Sequence, residues 1–401
     1  MSSLVEKYCR ALFDEHEVPE EIRQKLWNKY FDKLSTGIDK GYNAKDFEVY
    51  DKELVKAFKT NIAEFSAFKE TSFRNSLHEL LTTEDGRLRS WNDFKTEALK
   101  VSGDYNVRWL ETEYHQTVAN ANMAGKWKDF ERDTDLYSNV KFVTVADGRV
   151  RPEHKVLDGV VRPYNDPFWK THLPPLDWGC RCNVIQTDEE PTEVPGGVQL
   201  KLEFENNPAQ SGKIFNGSVY EKGLNGKEKK EIADNAIRWL ESTQKKDGKV
   251  TFAPNYDTND FNRNKYIAEV CAKQTGFNFH IREHVEVKHV TNPEYLIGDL
   301  LLGDRKSIKS SNGIITQIDH AKKQMLNKFV NPHKMPYYIV WDLDAIENIE
   351  WSEITNNLSR KVTKTRGTKI RGMFFHYQGK AVYLPRENIV KRDYSVLEKL
   401  K

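Results

Sequence analysis

The sequence predicts a multidomain α+β protein, because helical and strand-like patterns occupy different parts of its 401 residues. Apolar residues recur at spacings of three and four through the first 140 residues, which is typical of helices. A turn-rich segment follows, and the last 150 residues mix short apolar strands with amphipathic helices. We therefore predict a helical N-terminal region, a turn-rich module, and a small α+β domain built on a central antiparallel sheet.

Changes in composition suggest the domain boundaries. At Lys141 the segment KFVTVADGRV alternates like a strand and ends in an Asp-Gly turn signal. The segment TDEEPTEVPGG is typical of a linker, and KKDGK indicates a boundary near residue 246. The predicted domains are a helical region at 1–105, the turn-rich module at 106–190, a linker with one helix at 191–245, and the C-terminal domain at 246–401.

Three helices are predicted in the first 140 residues. Pro19 suits a first helical turn, where its missing N–H would have no partner. The apolar positions of this helix and of the next two are spaced for one buried face each. These positions are Ile22, Leu26, Trp27, Tyr30, Phe31 and Leu34, then Leu54, Phe58, Ile62, Phe65 and Phe68, then Trp109, Tyr114, Val118 and Met123.

The composition excludes several classes of protein. Nine Trp, 17 Tyr and 20 Phe argue against a disordered chain. The charged N-terminus lacks the apolar core of a signal peptide, and no apolar run approaches the roughly 18 residues of a membrane span. Four cysteines in 401 residues do not make a disulfide framework. We expect a protein made in a reducing cytoplasm, without a membrane partner.

The net charge of +2 conceals an asymmetry between the two halves of the chain. Residues 246–401 hold 26 Lys and Arg against 18 Asp and Glu, whereas residues 1–245 hold 36 against 42. A basic half indicates either a polyanionic partner or a solvated basic surface.

One segment carries several uncommon residues in a fixed order. Residues 143–185 read VTVADGRVRPEHKVLDGVVRPYNDPFWKTHLPPLDWGCRCNVI, and NANMAGKW precedes them at 120–127. This pattern resembles the phage Mu F-like minor head, or head morphogenesis, proteins. The resemblance is good over residues 100–190 and looser over residues 1–100. It implies a minor capsid protein that works near the portal, binds the portal and other capsid proteins, and passes from the host cytoplasm into the virion.

The same segment holds candidate metal ligands. Members of the Mu F-like family often carry a CxxC motif, where this chain has Arg151 to His154, together with a later CxC. Zinc takes about four Cys or His ligands in tetrahedral geometry. The candidate ligands of a structural zinc ion are His154, His172, Cys180 and Cys182, and the alternative is two buried thiols with locally bonded histidines.

The C-terminal domain contains a second pattern. Asn292-Pro293-Glu294 precedes an acid-x-Lys motif, and a helix with Ala321 and Gln324 and a hydrophobic strand at 340–343 follow. This order of elements resembles the tRNase toxins of contact-dependent inhibition systems, of the barnase–EndoU–colicin–RelE type. The resemblance implies a ribonuclease that requires no cofactor, acts on tRNA-like RNA, and could have an immunity protein as a partner.

Metal-independent RNA cleavage needs a base, an acid and a cation. Thr316, His320 and Lys323 lie at i, i+4 and i+7, on one face of the predicted helix. Histidine is the natural acid–base residue near neutral pH. The predicted catalytic residues are Asp304, Lys306, Thr316, His320 and Lys323.

A basic segment suggests where RNA would bind. Residues 360–371, RKVTKTRGTKIR, contain six basic residues and no acid, and they lead into a predicted hairpin. The predicted RNA-binding residues are Lys309, Lys364, Arg366, Lys369 and Arg371, and the alternative is a solvated loop.

Two other functions remain open. Pro293-Glu294 followed by Asp304-x-Lys306 also resembles the metal-dependent PD-(D/E)xK nucleases, in which two carboxylates hold Mg²⁺ and the lysine positions water. Alternatively, the chain is a purely structural virion protein whose tail only binds nucleic acid or capsid partners.

Overall fold

The computed structural model describes residues 3–243, 247–287, 289–298, 301–328, 330–332, 334–364 and 369–401. The chain forms two compact units, Met1–Ser242 and Thr243–Lys401. Helices dominate the first unit, and a large mixed sheet forms the centre of the second. The predicted multidomain α+β class is confirmed.

Five helices form the N-terminal part of the first unit. Asp51 and Ser90 accept hydrogen bonds from backbone N–H groups at the starts of the third and fourth helices, which fixes where these helices begin. A π-helical segment, Asp104–Arg108, joins the fourth helix to the fifth. The helices are α1 Ser3–Glu15, α2 Glu20–Gly41, α3 Lys52–Glu79, α4 Trp91–Gly103 and α5 Trp109–Arg132.

Helices α2 and α5 approach closely because of a glycine. A Cβ atom on Gly41 would lie 2.3 Å from the carbonyl oxygen of Val118. Any larger residue at position 41 would therefore push the two helices apart.

A small antiparallel sheet follows the helices. Its strands are β1 Asn139–Val143, β2 Val161–Pro163 and β3 Asn183–Thr187, in the order β2-β1-β3. The short helix α6, Pro152–Lys155, lies between β1 and β2 in the chain. Trp169 is fully buried and Trp127 nearly so, and their ring centroids are 5.7 Å apart, which ties this sheet module to α5.

Residues beyond this sheet also belong to the first unit. Phe204, Phe215 and Tyr220 are buried, and helix α7, Pro208–Ser211, lies among them in the chain. Helix α8, Gly226–Thr243, carries Trp239, which packs against Trp27 at a ring distance of 5.7 Å. The segment predicted as a linker at 191–245 is thus largely packed, because its aromatic side chains have apolar partners on α2 and α3.

An ion pair lies in the centre of the first unit. The Nζ atom of Lys69 is 2.9 Å from Glu113 Oε1 and 2.9 Å from the Tyr220 hydroxyl. Lys69 is fully buried, and the rings of Tyr30, Tyr105 and Tyr220 lie within 5.5 Å of its ammonium. Burial lowers the pKa of Lys69 and raises that of Glu113, so each charge depends on the other.

The second unit is a seven-stranded sheet with helices between its strands. The strand order is β10-β9-β8-β7-β6-β5-β4. In chain order the elements are β4 Val250–Phe252, α9 Phe261–Thr275, β5 Phe279–Ile281, β6 Tyr295–Ile297, β7 Leu301–Ser307, α10 Ile314–Met325, β8 Tyr337–Asp342, α11 Trp351–Lys364, β9 Ile370–Tyr377, β10 Lys380–Pro385 and α12 Arg386–Lys391.

This sheet is mixed, whereas the sequence analysis predicts an antiparallel one. Strands β5, β6 and β7 form an antiparallel meander, and β9 and β10 form the predicted hairpin. Strands β7, β8 and β9 run parallel because α10 and α11 cross over between them. The carboxyl ends of these three strands therefore meet at one edge of the sheet.

We predict that Lys69→Met will destabilise the first unit by about 3–5 kcal/mol, because it leaves the buried Glu113 carboxylate without its cation. Chemical denaturation of the full chain measures the change. The control is Lys59→Met on the same helix, whose pair with Asp39 is partly exposed, and which should cost about 1 kcal/mol or less. Equal losses in the two variants would contradict this role of Lys69.

Candidate functional site

Three of the four predicted metal ligands come together in the first unit. The Cys180 sulfur is 3.6 Å from His154 Nδ1, and the Cys182 sulfur is 4.0 Å from the same atom. The ligand atoms of all three residues lie within 4.8 Å of one another. A cavity of about 20 Å³ lies beside them, which is room for about one water molecule or one ion.

The chain around these residues is held by local hydrogen bonds. His154 sits on the one-turn helix α6, and Arg151 just before it donates to the Trp178 carbonyl at 2.8 Å. Gly179 has a φ of 69°, which places its N–H 3.1 Å from the Gln116 side chain on α5. Helix α5 thus fixes the turn that presents both cysteines.

The two thiols shift each other's pKa in opposite directions. The Cys182 thiol lowers the pKa of Cys180 by donating to its sulfur, and the same interaction raises the pKa of Cys182. Two cysteine sulfurs and one imidazole nitrogen are close enough together to serve as ligands of one ion. Zinc prefers thiolate and imidazole donors, and its binding would release the thiol protons.

The fourth predicted ligand lies elsewhere. His172 stacks on Phe168 with ring centroids 4.6 Å apart, and its Nδ1 is 2.8 Å from the Thr171 hydroxyl. Among the described residues, the metal-ligand group at this place consists of His154, Cys180 and Cys182 alone. His172 follows a 3₁₀ turn, Pro167–Lys170, that directs the chain after it. The spacing of residues in the sequence does not reveal this direction, so it could not show that His172 lies away from the cysteines.

A second group of polar residues lies in the C-terminal unit. Asp304 and Lys306 are on β7, and Lys306 Nζ is 2.6 Å from Asp304 Oδ2. Lys306 also donates to the side chain of Gln324 on α10. Glu294, just before β6, accepts from the backbone N–H of Arg305 at 2.7 Å. The antiparallel pairing of β6 and β7 brings the two carboxyl groups together.

These two carboxyl groups are poorly solvated. Burial, and then the charge of Asp304, raises the pKa of Glu294 to about 8. Burial also raises the pKa of Asp304, although Lys306 opposes this effect. Asp304 is fully buried, while Lys306 and Glu294 remain partly accessible. Two adjacent carboxyl groups with so little access to solvent need either a proton or a cation between them.

The structure separates the predicted catalytic residues into two sets. Asp304 and Lys306 are in contact, as described above. Thr316, His320 and Lys323 are exposed on α10. Lys306 donates to Gln324 and Glu294 accepts from the β7 backbone, and neither of these hydrogen bonds involves Thr316, His320 or Lys323.

The predicted RNA-binding residues also divide. Lys309 and Lys369 are exposed, as expected. Arg371 is buried, in contrast to the expectation, because it lies at the irregularity of β9 where the pairing with β8 skips a residue. Arg366 and the side chain of Lys364 lie outside the described residues.

This unit holds another polar group, which was not predicted from the sequence. Asp342, Asp344 and His376 lie where β8 and β9 end, and their ligand atoms are within 4.8 Å of one another. Asp342 and His376 are partners across the parallel pair. Each of these residues lies at or just after the end of a hydrophobic strand, and this position is the signal by which the sequence could have indicated them. The register between Asp342 and His376, 34 positions apart, cannot be seen in a sequence.

The geometry thus defines a helical scaffold that carries a small Cys/His module, followed by an α+β unit with buried carboxyl groups. Residues 31–185 match the family model described as Phage Mu protein F like protein. These residues are therefore similar to the Mu F-like family, in agreement with the resemblance.

Two curated proteins support this relation. The chain is 44% identical over 77 residues to "Putative capsid assembly protein F" of Escherichia phage Mu, which covers 19% of this chain and 18% of that protein. It is 33% identical over 89 residues to "Mu-like prophage FluMu F protein" of Haemophilus influenzae, which covers 22% of each. The chain thus spans about a fifth of the length of these relatives.

No solved structure matches the chain. Among the described residues, no helix is both long enough and apolar enough to cross a membrane.

We propose that His154, Cys180 and Cys182 bind one zinc ion, and we predict about one zinc per purified chain by elemental analysis. Cys180→Ser should remove the metal, and chelation should lower the melting temperature of the wild type. The matched control is Cys271→Ser, a buried thiol in the other unit, which should retain zinc, as should His172→Asn. A metal-free wild-type chain would contradict the proposal.

The raised pKa of Glu294 predicts a pH dependence of stability. The folded state favours the protonated carboxyl group, so its contribution is fully present below the unfolded pKa and is lost as the pH rises through about 8. In EDTA, the rate of amide hydrogen exchange in β6 and β7 should therefore increase between pH 6 and pH 9 by more than the intrinsic exchange rate increases over the same range. Glu294→Gln should remove this additional acceleration, and an unchanged pH profile in the variant would refute the assignment.

Proposed function

We propose that the protein acts in phage head assembly through its N-terminal unit and cleaves nucleic acid through its C-terminal unit. The first part rests on the similarity of residues 31–185 to the Mu F-like family and on the name of the phage Mu relative, a putative capsid assembly protein. Its partners would be the portal and other capsid proteins. It would act in the host cytoplasm during assembly and then remain in the virion.

Cosedimentation tests the first part. The full chain, coexpressed with the portal and capsid proteins of the same phage genome, should move with the head assemblies in a density gradient. A portal protein from an unrelated phage is the control. A chain that stays at the top of the gradient with its own portal would contradict the proposal.

The second part rests on the contact of Glu294, Asp304 and Lys306. The meander of β5, β6 and β7, followed by the crossover helix α10, places both carboxyl groups and the lysine at one point of the sheet. This arrangement favours the metal-dependent alternative from the sequence analysis over the metal-independent one. The exposed positions of Thr316, His320 and Lys323 favour the same alternative.

The residues present fit a divalent cation. Asp304 Oδ1 is buried and accepts no hydrogen bond among the described residues, and the adjacent Glu294 has a raised pKa. Glu294 and Asp304 would hold the ion, which would activate water and stabilise charge on the phosphate. Lys306 would hold a phosphate oxygen or the attacking water, and Gln324 orients its ammonium.

The exposed surface near these residues is basic. Lys309 follows β7, and Lys323 on α10 precedes Gln324; both are exposed. Residues 246–401 have an excess of eight positive charges. Such a surface attracts a polyanion such as RNA or DNA. A small acidic immunity protein could block the same surface.

We predict that the full chain will cleave nucleic acid in Mg²⁺ or Mn²⁺ and that EDTA will abolish the cleavage. Lys306→Ala should reduce the rate by about a hundredfold or more, because it removes a charge from the reacting phosphate. Lys309→Ala, an exposed lysine on the same segment, is the control and should change the rate little. Labelled tRNA and single- and double-stranded DNA, tested separately, identify the substrate.

A third variant separates the two chemistries. His320→Ala should retain activity in the metal-dependent mechanism, whereas loss of a general acid or base would cost about 10²–10⁴ in rate. The melting temperatures of His320→Ala and Lys309→Ala should match the wild type. Lys306→Ala leaves the buried Asp304 without its cation, so its rate is measured well below its own, lower melting temperature. If EDTA leaves the activity intact and His320→Ala removes it, the metal-independent mechanism is correct. If no substrate is cut, the C-terminal unit is better explained as a binding surface.

A further inference from the structure

A second polar site lies on the other face of the large sheet. Side chains alternate between the two faces of a strand, so Arg305 and Ser307 on β7 point away from Asp304 and Lys306. Asp342 Oδ2 accepts hydrogen bonds from both, at 3.2 Å from Arg305 and 3.1 Å from Ser307. Asp342 therefore lies on the face opposite the proposed nuclease residues.

His376 is the unusual member of this site. It is fully buried, yet neither ring nitrogen has a hydrogen bond among the described residues. Its Nδ1 lies 3.6 Å from Asp344 Oδ1, and the ring of Tyr266 packs edge-on against it. Leaving a buried polar group without a partner is costly, so a ligand for the imidazole nitrogen is expected here.

A partly exposed cation neutralises the two carboxylates. Arg263, in the first turn of α9, donates to both Asp342 and Asp344, and its Nη2 is 2.8 Å from Asp344 Oδ2. The Arg263 side chain is 36% exposed, so it can turn towards solvent without unfolding α9. Arg305 and Ser307 would continue to hold Asp342 in place.

We propose that Asp342, Asp344 and His376 form a binding site for a divalent transition-metal ion, which takes the place of the Arg263 guanidinium. Their ligand atoms lie within 4.8 Å of one another. One imidazole nitrogen and two carboxylate oxygens suit ions such as Mn²⁺, Fe²⁺ or Co²⁺. The site lacks thiolates, which distinguishes it chemically from the Cys/His module.

Metal titration of the full chain tests the proposal. Free Mn²⁺, measured by electron paramagnetic resonance, gives the number and affinity of bound ions, and Mn²⁺ has little preference for thiolates. His376→Phe should reduce the number of bound ions by one and should not lower the melting temperature, because it replaces an unpartnered polar ring by an apolar one. Asp344→Asn, at a partly exposed position, should weaken the same site.

Arg263→Gln should have the opposite effect. Removing the competing cation should strengthen Mn²⁺ binding at this site by about tenfold or more, within the range typical of residues that surround metal ligands. The matched control is Lys265→Gln on the same helix, which pairs with Glu269 and should leave the affinity unchanged. An unchanged stoichiometry in His376→Phe, or an unchanged affinity in Arg263→Gln, would overturn the proposal. Asp304→Asn should leave this site intact, so the result is independent of the nuclease assignment.

Discussion

Four consecutive polar residues lie on a central strand of the C-terminal unit, and each of them requires a polar partner. Strand β7 has neighbours on both sides, and Asp304, Arg305, Lys306 and Ser307 lie next to one another on it. An unpaired charge there would cost several kcal/mol. Each side chain therefore recruits a partner from another element, and these partners create a polar group on each face of the sheet.

The two faces receive different partners because strands alternate. Asp304 and Lys306 meet Glu294, which directly precedes β6, and Gln324 on α10. Arg305 and Ser307 meet Asp342 at the end of β8. The same strand thus supports a carboxyl–lysine group suited to phosphate chemistry and a carboxylate–imidazole group suited to metal binding. These two groups share strand β7 but no side chain.

The N-terminal unit solves a similar problem in its core. Lys69, Glu113 and Tyr220 come from α3, α5 and a segment near residue 220, and each is buried. Tyr220 follows the Cys/His module in the chain and bonds to both Lys69 and Glu113, so the chain returns to the helices to complete this buried group. The helix α5 that carries Glu113 also carries Gln116, which holds the turn before Cys180. One helix, α5, therefore contributes both to the core of the helical scaffold and to the turn of the candidate zinc site.

The sequence by itself determined the α+β class, the main helices and the β9–β10 hairpin, because these follow from short-range periodicity and spacing. Its motifs also predicted His154, Cys180, Cys182, Asp304 and Lys306 as site residues, and the structure brings the first three together and the last two together. It could not determine strand register, crossover direction or the packing of residues 191–245, since these depend on contacts between distant residues. Only the tertiary structure removed His172 from the Cys/His group, buried Arg371, and separated His320 from Lys306. It also joined His376 to Asp342, because parallel pairing of β8 and β9 sets their ends side by side.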